Sequence, residues 1–213
     1  MYGNKTIIQF SNELSSSSPT PGGGGAAAAV AALGVALSSM AFNLTIGKKQ
    51  YNEYDENIKQ LIINGLNKAD ILRNEFIQFI DKDAEAFIKV IEAFKLPKET
   101  KEQIKIRKEK IDESYENAAL VPLQLALKAK EVYDIIEIAC KYGNRNVITD
   151  AGAAAILINS VIETAVLNIN INLSGIKNVD YKNSLIRDSK NLTDESDKRK
   201  KEIMLLVNEV MGA

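Results

Sequence analysis

The sequence predicts an all-α protein, a bundle of about six helices with two alanine-rich helices at its centre. Apolar residues recur in steps of three and four over residues 54–94, which is the period of one helix face. Residues 26–46 and 149–173 are rich in alanine, a strong helix former that lets neighbouring backbones approach closely. No stretch alternates apolar and polar residues as a half-buried strand does. The length of 213 residues suits one core, so we expect a single domain over residues 1–213.

The composition excludes several classes of function. The chain has 27 basic and 28 acidic residues, and the basic ones are spread along the helices, so we expect no nucleic-acid partner. It has no histidine, which rules out Ser-His and Cys-His nucleophilic machinery and removes the usual imidazole ligands of a metal. We therefore predict no metal site, and any proton transfer must use Asp, Glu, Lys, Tyr or Cys.

The single cysteine and the first residues indicate the compartment. Cys140 lies in an apolar run and has no second cysteine with which to form an internal disulfide. The beginning of the chain, MYGNKTIIQF, lacks the apolar core of a signal peptide. We expect a reducing, cytoplasmic location.

A glycine-rich loop leads into the first alanine-rich helix. Two prolines precede residues 22–25, four glycines that give the backbone unusual freedom. A helix N-terminus offers unpaired N–H groups and partial positive charge, so the loop is a candidate site for an anion or another ligand. Alternatively, the glycines only make a turn that lets two helices touch. The surrounding residues match neither a P-loop nor a dinucleotide-binding fingerprint.

The run over residues 26–46 carries no charge and is long enough to span a membrane. Two serines, an asparagine and a threonine interrupt it, and alanine gains little from lipid. A helix buried inside a bundle explains the run better, and we expect no membrane partner. Gly47 and the cations Lys48 and Lys49 are expected to close this helix.

The long helix over residues 54–94 has a carboxylate on its apolar face. Asp83 lies three residues after Ile80 and four before Phe87, and both of these belong to that face. A carboxylate at a core position is costly unless it is paired or used for chemistry. Asp83 is therefore either one partner of an inward salt bridge or a functional residue. Asp81 points elsewhere, and we expect it to be solvated.

Three more helices are expected over residues 4–14, 101–142 and 178–210. The isoleucines of the first are expected on its apolar side. Pro122 lies inside the second and is expected to kink or divide it near Ala118.

The second alanine-rich helix contains three polar residues of interest. Asp150 near its start is a fair N-cap. Asn168 and Asn172 share one face at a spacing of four residues. Amides on an apolar helix need partners, which are another helix, a ligand or water.

A set of short motifs extends along most of the chain. In order they are SSSPTPGGGGAAA at 16–28, LTIGKK at 44–49, DKDAEAF at 81–87, KLPKET at 95–100, VPL at 121–123, YGN at 142–144, TDAGAAA at 149–155 and NININL at 168–173. The set resembles the cyclodeaminase/cyclohydrolase family of folate enzymes. That family usually has serine at the positions of Gly25 and Thr149. Threonine keeps the hydroxyl group, whereas Gly25 loses it.

The resemblance implies a helical bundle that forms a homodimer, with a tetrahydrofolate derivative as its substrate and no further cofactor. In a cyclodeaminase, N10 of 5-formiminotetrahydrofolate attacks the formimino carbon, ammonia leaves and 5,10-methenyltetrahydrofolate forms. In a cyclohydrolase, water opens the methenyl ring to give 10-formyltetrahydrofolate. We expect the cyclodeaminase reaction, with the cyclohydrolase as the alternative. A non-catalytic helical scaffold or folate-binding protein is a further alternative.

Both reactions pass through a cationic, amidine-like carbon, which a carboxylate can stabilise while it transfers a proton. Asp83 and Asp150 are therefore the predicted catalytic residues. Lys48 is predicted to hold a substrate carboxylate, to tune the pKa of a neighbouring group, or only to complement the end of its helix. The predicted substrate-binding residues are Gly22, Gly23, Gly24, Thr45, Lys48, Phe87, Asn144, Asn168 and Asn172.

Overall fold

The computed structural model describes residues 1–212, and helices are the only regular structure in that part of the chain. The helices are α1 Ile7–Leu14, α2 Gly23–Asn43, α3 Lys49–Glu53, α4 Glu56–Lys95, α5 Lys101–Tyr142, α6 Ile148–Asn172 and α7 Val179–Met211. Short 3-10 turns occupy Tyr2–Asn4 and Arg145–Val147. The all-α prediction is confirmed.

Four helices form the core of the bundle. In the order α2, α4, α5, α6, each packs against the next, α6 closes the ring on α2, and α7 covers the groove between α5 and α6. The core is built from apolar side chains on the inner faces of these helices. The alanines of α2 and α6 contribute little bulk, so the two alanine-rich helices lie close together, as the sequence predicts.

α2 and α6 run antiparallel along their whole length. Gly23 at the start of α2 lies beside Asn168 near the end of α6, and Gly34 packs against Ile158 at the middle of both helices. The carbonyl oxygen of Leu44, just after α2, accepts a hydrogen bond from Asn144 Nδ2 at 3.3 Å. One end of this helix pair therefore combines the start of α2 with the end of α6. The other end combines the end of α2 with the start of α6.

Pro122 does not divide α5, which is a single helix of 42 residues. A proline has no N–H to donate to the carbonyl four residues earlier, which is that of Ala118. Asn172 Nδ2 of α6 donates to this carbonyl oxygen at 3.2 Å and replaces the missing bond. The expected division is absent because a side chain from a neighbouring helix satisfies the acceptor.

The boundaries differ from the predicted ones mainly before α4. The helix predicted over residues 4–14 is a 3-10 turn followed by α1, and Ile7 and Ile8 are 81% and 73% exposed rather than packed. α2 ends at Asn43, four residues before Gly47, whose positive φ of 76° turns the chain toward α3. The predicted helix over residues 178–210 corresponds to α7, with Asn178 as its N-cap.

A buried polar cluster joins α5, α6 and α7. The Tyr133 hydroxyl and the Ser196 Oγ lie 2.7 Å apart, and Asn159 Nδ2 donates to Ser196 Oγ at 3.0 Å. Burial raises the pKa of Tyr133 to about 12, so this phenol stays protonated. Because each member has a partner, the cluster fixes how the three helices meet.

Two helices are long and apolar enough to cross a membrane by length and composition. They are Gly23–Asn43 and Arg145–Asn172, with mean hydropathies of 1.8 and 1.6. In the 18-residue apolar window of each helix, 56% and 50% of the residues are buried inside the bundle, as expected of helices that pack in a core.

Candidate active site

Asp83 lies against the N-terminus of α2, where the glycine run begins the helix. The Gly25 N–H donates to Asp83 Oδ2 at 2.9 Å. A Cβ atom on Gly24 would lie 2.0 Å from Asp83 Oδ1, inside the carboxylate. Gly24 is therefore required for the α4 carboxylate to reach the first turn of α2. The glycine run does more than turn the chain, because it lets an acid from another helix contact the helix end.

Burial raises the pKa of Asp83, and the hydrogen bond from Gly25 N–H lowers it by a smaller amount, so that the net shift is upward. The inward salt bridge that was one of the two alternatives for Asp83 is absent. No lysine or arginine within residues 1–212 pairs with this carboxylate. A half-buried acid held only by backbone, with a raised pKa, has the properties of a proton-transfer group.

Two amides and an aromatic ring surround the same end of the bundle, which we call the Asp83 end. Asn168 lies beside Gly23 and donates through Nδ2 to the Thr164 carbonyl oxygen at 2.8 Å. Asn172 donates to the Asn168 carbonyl oxygen as well as to α5. Neither side-chain oxygen accepts a hydrogen bond from the described residues, so both remain available as acceptors. Phe87 follows Asp83 by one helical turn and is 46% exposed.

The remaining predicted site residues lie at the opposite end of the α2–α6 pair, which we call the Lys48 end. Lys48, Asn144 and Asp150 follow the end of α2 or surround the start of α6. Along α6, the separation of Asp150 and Asn168 corresponds to about 27 Å at the helical rise of ~1.5 Å per residue. One copy of the chain therefore does not bring the two predicted catalytic carboxylates together.

The structure shows how three predicted residues at the Lys48 end are held. Asp150 is not an N-cap, because the 3-10 turn Arg145–Val147 leads directly into α6 and places Asp150 inside its first turn. Thr45 is 2% exposed and its Oγ1 donates to the Ala41 carbonyl oxygen at 2.7 Å, so its hydroxyl is not accessible to a ligand. Asn144 accepts from the Asn146 N–H and joins the ends of α2 and α6.

Lys48 is the N-cap residue of the short helix α3 and is exposed. Among the described residues it forms no ion pair, and nor does Arg145 on the adjacent 3-10 turn. The Lys48 end therefore presents these two cations together with the Asp150 carboxylate, whereas the Asp83 end presents a carboxylate and amide oxygens.

Sequence reasoning missed the role of Asp81. Its carboxylate accepts hydrogen bonds from the N–H groups of Tyr2 and Gly3, at 2.5 and 3.3 Å. It is thus a structural acceptor for the start of the chain and not merely solvated. The spacing of two residues between Asp81 and Asp83 was visible, but only the folded chain shows what Asp81 contacts.

The glycine at position 25 is not forced by packing. A Cβ atom there would lie 3.5 Å from the Ile80 carbonyl oxygen and 3.7 Å from Pro21 Cβ, which are ordinary contacts. The backbone N–H that binds Asp83 is present with any residue other than proline.

Within residues 1–212 the structure also contains no group of three or more Asp, Glu or Cys side chains placed to hold a metal ion.

Comparison with known proteins identifies the family. The family model for formiminotransferase-cyclodeaminase matches residues 6–191, and the chain belongs to this family of enzymes acting on folate derivatives. The methenyltetrahydrofolate cyclohydrolase of Methylorubrum extorquens is 40% identical over 176 residues, which cover 83% of both proteins. The formimidoyltransferase-cyclodeaminase of mouse is 32% identical over 77% of this chain, and the matched segment spans 30% of that longer protein.

A solved structure supports the fold independently. The formiminotetrahydrofolate cyclodeaminase of Thermotoga maritima superimposes with a TM-score of 0.87 over 99% of this chain and 100% of its own. Its sequence identity of 22% supports the shared architecture and leaves the choice of reaction to other observations.

Proposed function

We propose that the protein is a 5,10-methenyltetrahydrofolate cyclohydrolase that forms 10-formyltetrahydrofolate. The observation that carries the proposal is Asp83, a half-buried carboxylate held at a glycine-rich helix end and without a cationic partner among the described residues. The relative that is 40% identical over 83% of its own length is named as a cyclohydrolase, which favours this reaction over the cyclodeaminase reaction expected from the sequence.

The chemistry requires one proton acceptor beside a cationic carbon. Asp83 takes a proton from water as the water oxygen bonds to the methenyl carbon, giving a neutral tetrahedral adduct. The bond from that carbon to N5 then breaks as the hydroxyl proton of the adduct passes to N5, which leaves a formyl C=O on N10 and the first proton on Asp83. The net products are 10-formyltetrahydrofolate and one proton. Burial helps because it raises the pKa of Asp83 and makes the carboxylate a stronger base.

The cyclodeaminase reaction is the second candidate, because the family model and the mouse relative bear that name. The same carboxylate would serve it, with ammonia leaving in place of water adding. A non-catalytic folate-binding protein or scaffold is the third. It leaves without a purpose the close approach of Asp83 to Gly24 and the lack of a cationic partner for Asp83 among the described residues.

A paired assay of the absorbance of methenyltetrahydrofolate distinguishes the three. We expect the enzyme to consume added 5,10-methenyltetrahydrofolate, and to produce neither that absorbance nor ammonia from 5-formiminotetrahydrofolate. Formation of both products from the formimino substrate would instead assign the cyclodeaminase reaction. If neither reaction exceeds the buffer rate, the enzymatic proposal is wrong, and calorimetric titration with folate then separates a binding protein from a scaffold.

We also propose that the enzyme is a homodimer formed through the exposed face shared by α2 and α6. Apolar side chains on that face remain exposed although they belong to helices with almost no charge. They are Leu33, Met40 and Leu44 from α2 and the residue after it, and Ile156, Leu167 and Ile171 from α6, between 37% and 74% exposed. Within the two segments that carry these side chains, residues 33–44 and 156–171, Glu163 is the one charged residue. A patch of this kind is typical of an interface between subunits.

The positions of the predicted site residues favour an antiparallel pairing. A two-fold axis in the interface plane, crossing the helices at their middle, sets the Asp83 end of one copy against the Lys48 end of its partner. The carboxylate and amide oxygens of one end would then face Lys48, Arg145 and Asp150 of the other. Each dimer would contain two composite sites. This arrangement explains why one copy keeps Asp83 and Asp150 so far apart.

A further inference from the structure

The first residues of the chain form a strap across α4 beside Asp83. The Asp81 carboxylate accepts from the N–H groups of Tyr2 and Gly3. A Cβ atom on Gly3 would lie 2.8 Å from Ile77 Cγ2, so glycine lets the strap lie directly on the helix. The strap is thus tied to α4 by two hydrogen bonds and a close backbone contact.

The strap continues to the loop that precedes the glycine run. The Tyr2 hydroxyl lies 2.9 Å from Thr20 Oγ1 and 3.2 Å from the Thr20 carbonyl oxygen. Thr20 is 6% exposed, and Ser18 Oγ also donates to its carbonyl oxygen, at 2.7 Å. Thr20 is therefore a fixed point, five residues before the Gly25 N–H that binds Asp83.

These contacts form a closed path that begins and ends on one turn of α4. It runs from Asp81 to Tyr2, from Tyr2 to Thr20, along the chain to Gly25, and back to Asp83. We propose that Asp81 and Tyr2 are positioning residues, which hold the glycine loop so that the Gly25 N–H stays on the Asp83 carboxylate. The kinetic part of this inference rests on the proposed hydrolysis by Asp83, whereas the structural part does not.

The variant Tyr2→Phe tests the strap with the smallest change, because it removes one hydroxyl and keeps the ring. The loosened loop should lower kcat for methenyl hydrolysis about tenfold and change KM less than twofold, since the N–H fixes the orientation of the reacting carboxylate and does not bind substrate, and lost orientation outweighs the gain in basicity. In the free protein, the amide proton resonance of Gly25 should move upfield and its hydrogen exchange should become faster. Asp81→Asn should shift both readouts in the same direction.

Tyr133→Phe is the matched control. It removes the hydroxyl group of a second tyrosine, which bonds to Ser196 of α7 and not to the glycine loop. It should lower the melting temperature without changing the Gly25 resonance or kcat. Identical Gly25 resonances, exchange rates and kcat values in wild type, Tyr2→Phe and Asp81→Asn would overturn the inference. Absence of hydrolysis by the wild type would refute the proposed function alone, because the Gly25 amide still reports on the strap.

Discussion

Replacing Asp83 with asparagine is expected to lower kcat for methenyl hydrolysis by a factor of about 10²–10⁴, the usual contribution of a general base. The amide keeps the size of the side chain and an oxygen that can accept from the Gly25 N–H, so the fold should remain. Asp70→Asn is the matched control, because Asp70 lies on the same helix in a surface ion pair with Arg73. That variant should keep its activity. A kcat for Asp83→Asn within threefold of wild type would remove Asp83 from the mechanism.

The same variant should be more stable than wild type at neutral pH. Burial raises the folded-state pKa of Asp83 above its ordinary value of 3.8, so the protonated form is favoured by folding. The resulting stabilisation of wild type is complete below pH 3.8 and is lost as the pH rises through the raised folded pKa. The melting temperature of Asp83→Asn should exceed that of wild type at pH 7, and the difference should shrink on acidification. Equal differences at all pH values would contradict this.

The pair Gly24→Ala and Gly25→Ala is expected to give opposite effects from the same added methyl group. At position 24 the methyl group would occupy the place of the Asp83 carboxylate, 2.0 Å from Oδ1. Either Asp83 or the start of α2 must move, and we expect a loss of about 1–3 kcal/mol in unfolding free energy from overpacking. Since the Gly25 N–H then no longer reaches Asp83, kcat/KM should fall at least about 100-fold, as on loss of a catalytic acid or base.

At position 25 the added methyl group makes only ordinary contacts, the nearest at 3.5 Å. Replacing a helical glycine with alanine should therefore raise the unfolding free energy by roughly 0.5–1 kcal/mol. Chemical denaturation of both variants in parallel measures the contrast. If both substitutions change stability equally, the close approach of Asp83 to Gly24 is wrong.

The sequence predicts the elements of this fold well because each depends on local patterns. Apolar steps of three and four define α4, and alanine content identifies α2 and α6. The continuity of α5 was not predictable, since the carbonyl left by Pro122 is satisfied by Asn172, which is distant in sequence. Intrinsic preference against an internal proline was overridden by a tertiary contact.

The site was predicted in part, for a similar reason. Asp83 and the glycine run are recognisable because a carboxylate on an apolar stripe and four consecutive glycines are unusual wherever they occur. The antiparallel pairing of α2 and α6 decides which predicted residues lie at which end of the bundle. No local pattern in the sequence reveals that pairing. For the same reason the sequence does not reveal that the Thr45 hydroxyl is bonded to the Ala41 carbonyl oxygen in the last turn of α2.

We propose that a complete site combines the Asp83 end of one copy with the Lys48 end of its partner. Mixed dimers test this composite site most directly. Asp83→Asn should be inactive alone because it lacks the proton acceptor, and Asp150→Asn because it lacks the second predicted catalytic carboxylate, which would stabilise the cationic carbon in the composite site. In a heterodimer one composite site has both substitutions and the other has neither, so random co-assembly should restore about a quarter of wild-type activity. Full activity of Asp150→Asn alone, or no activity in purified heterodimers carrying a different tag on each copy, would contradict the composite site.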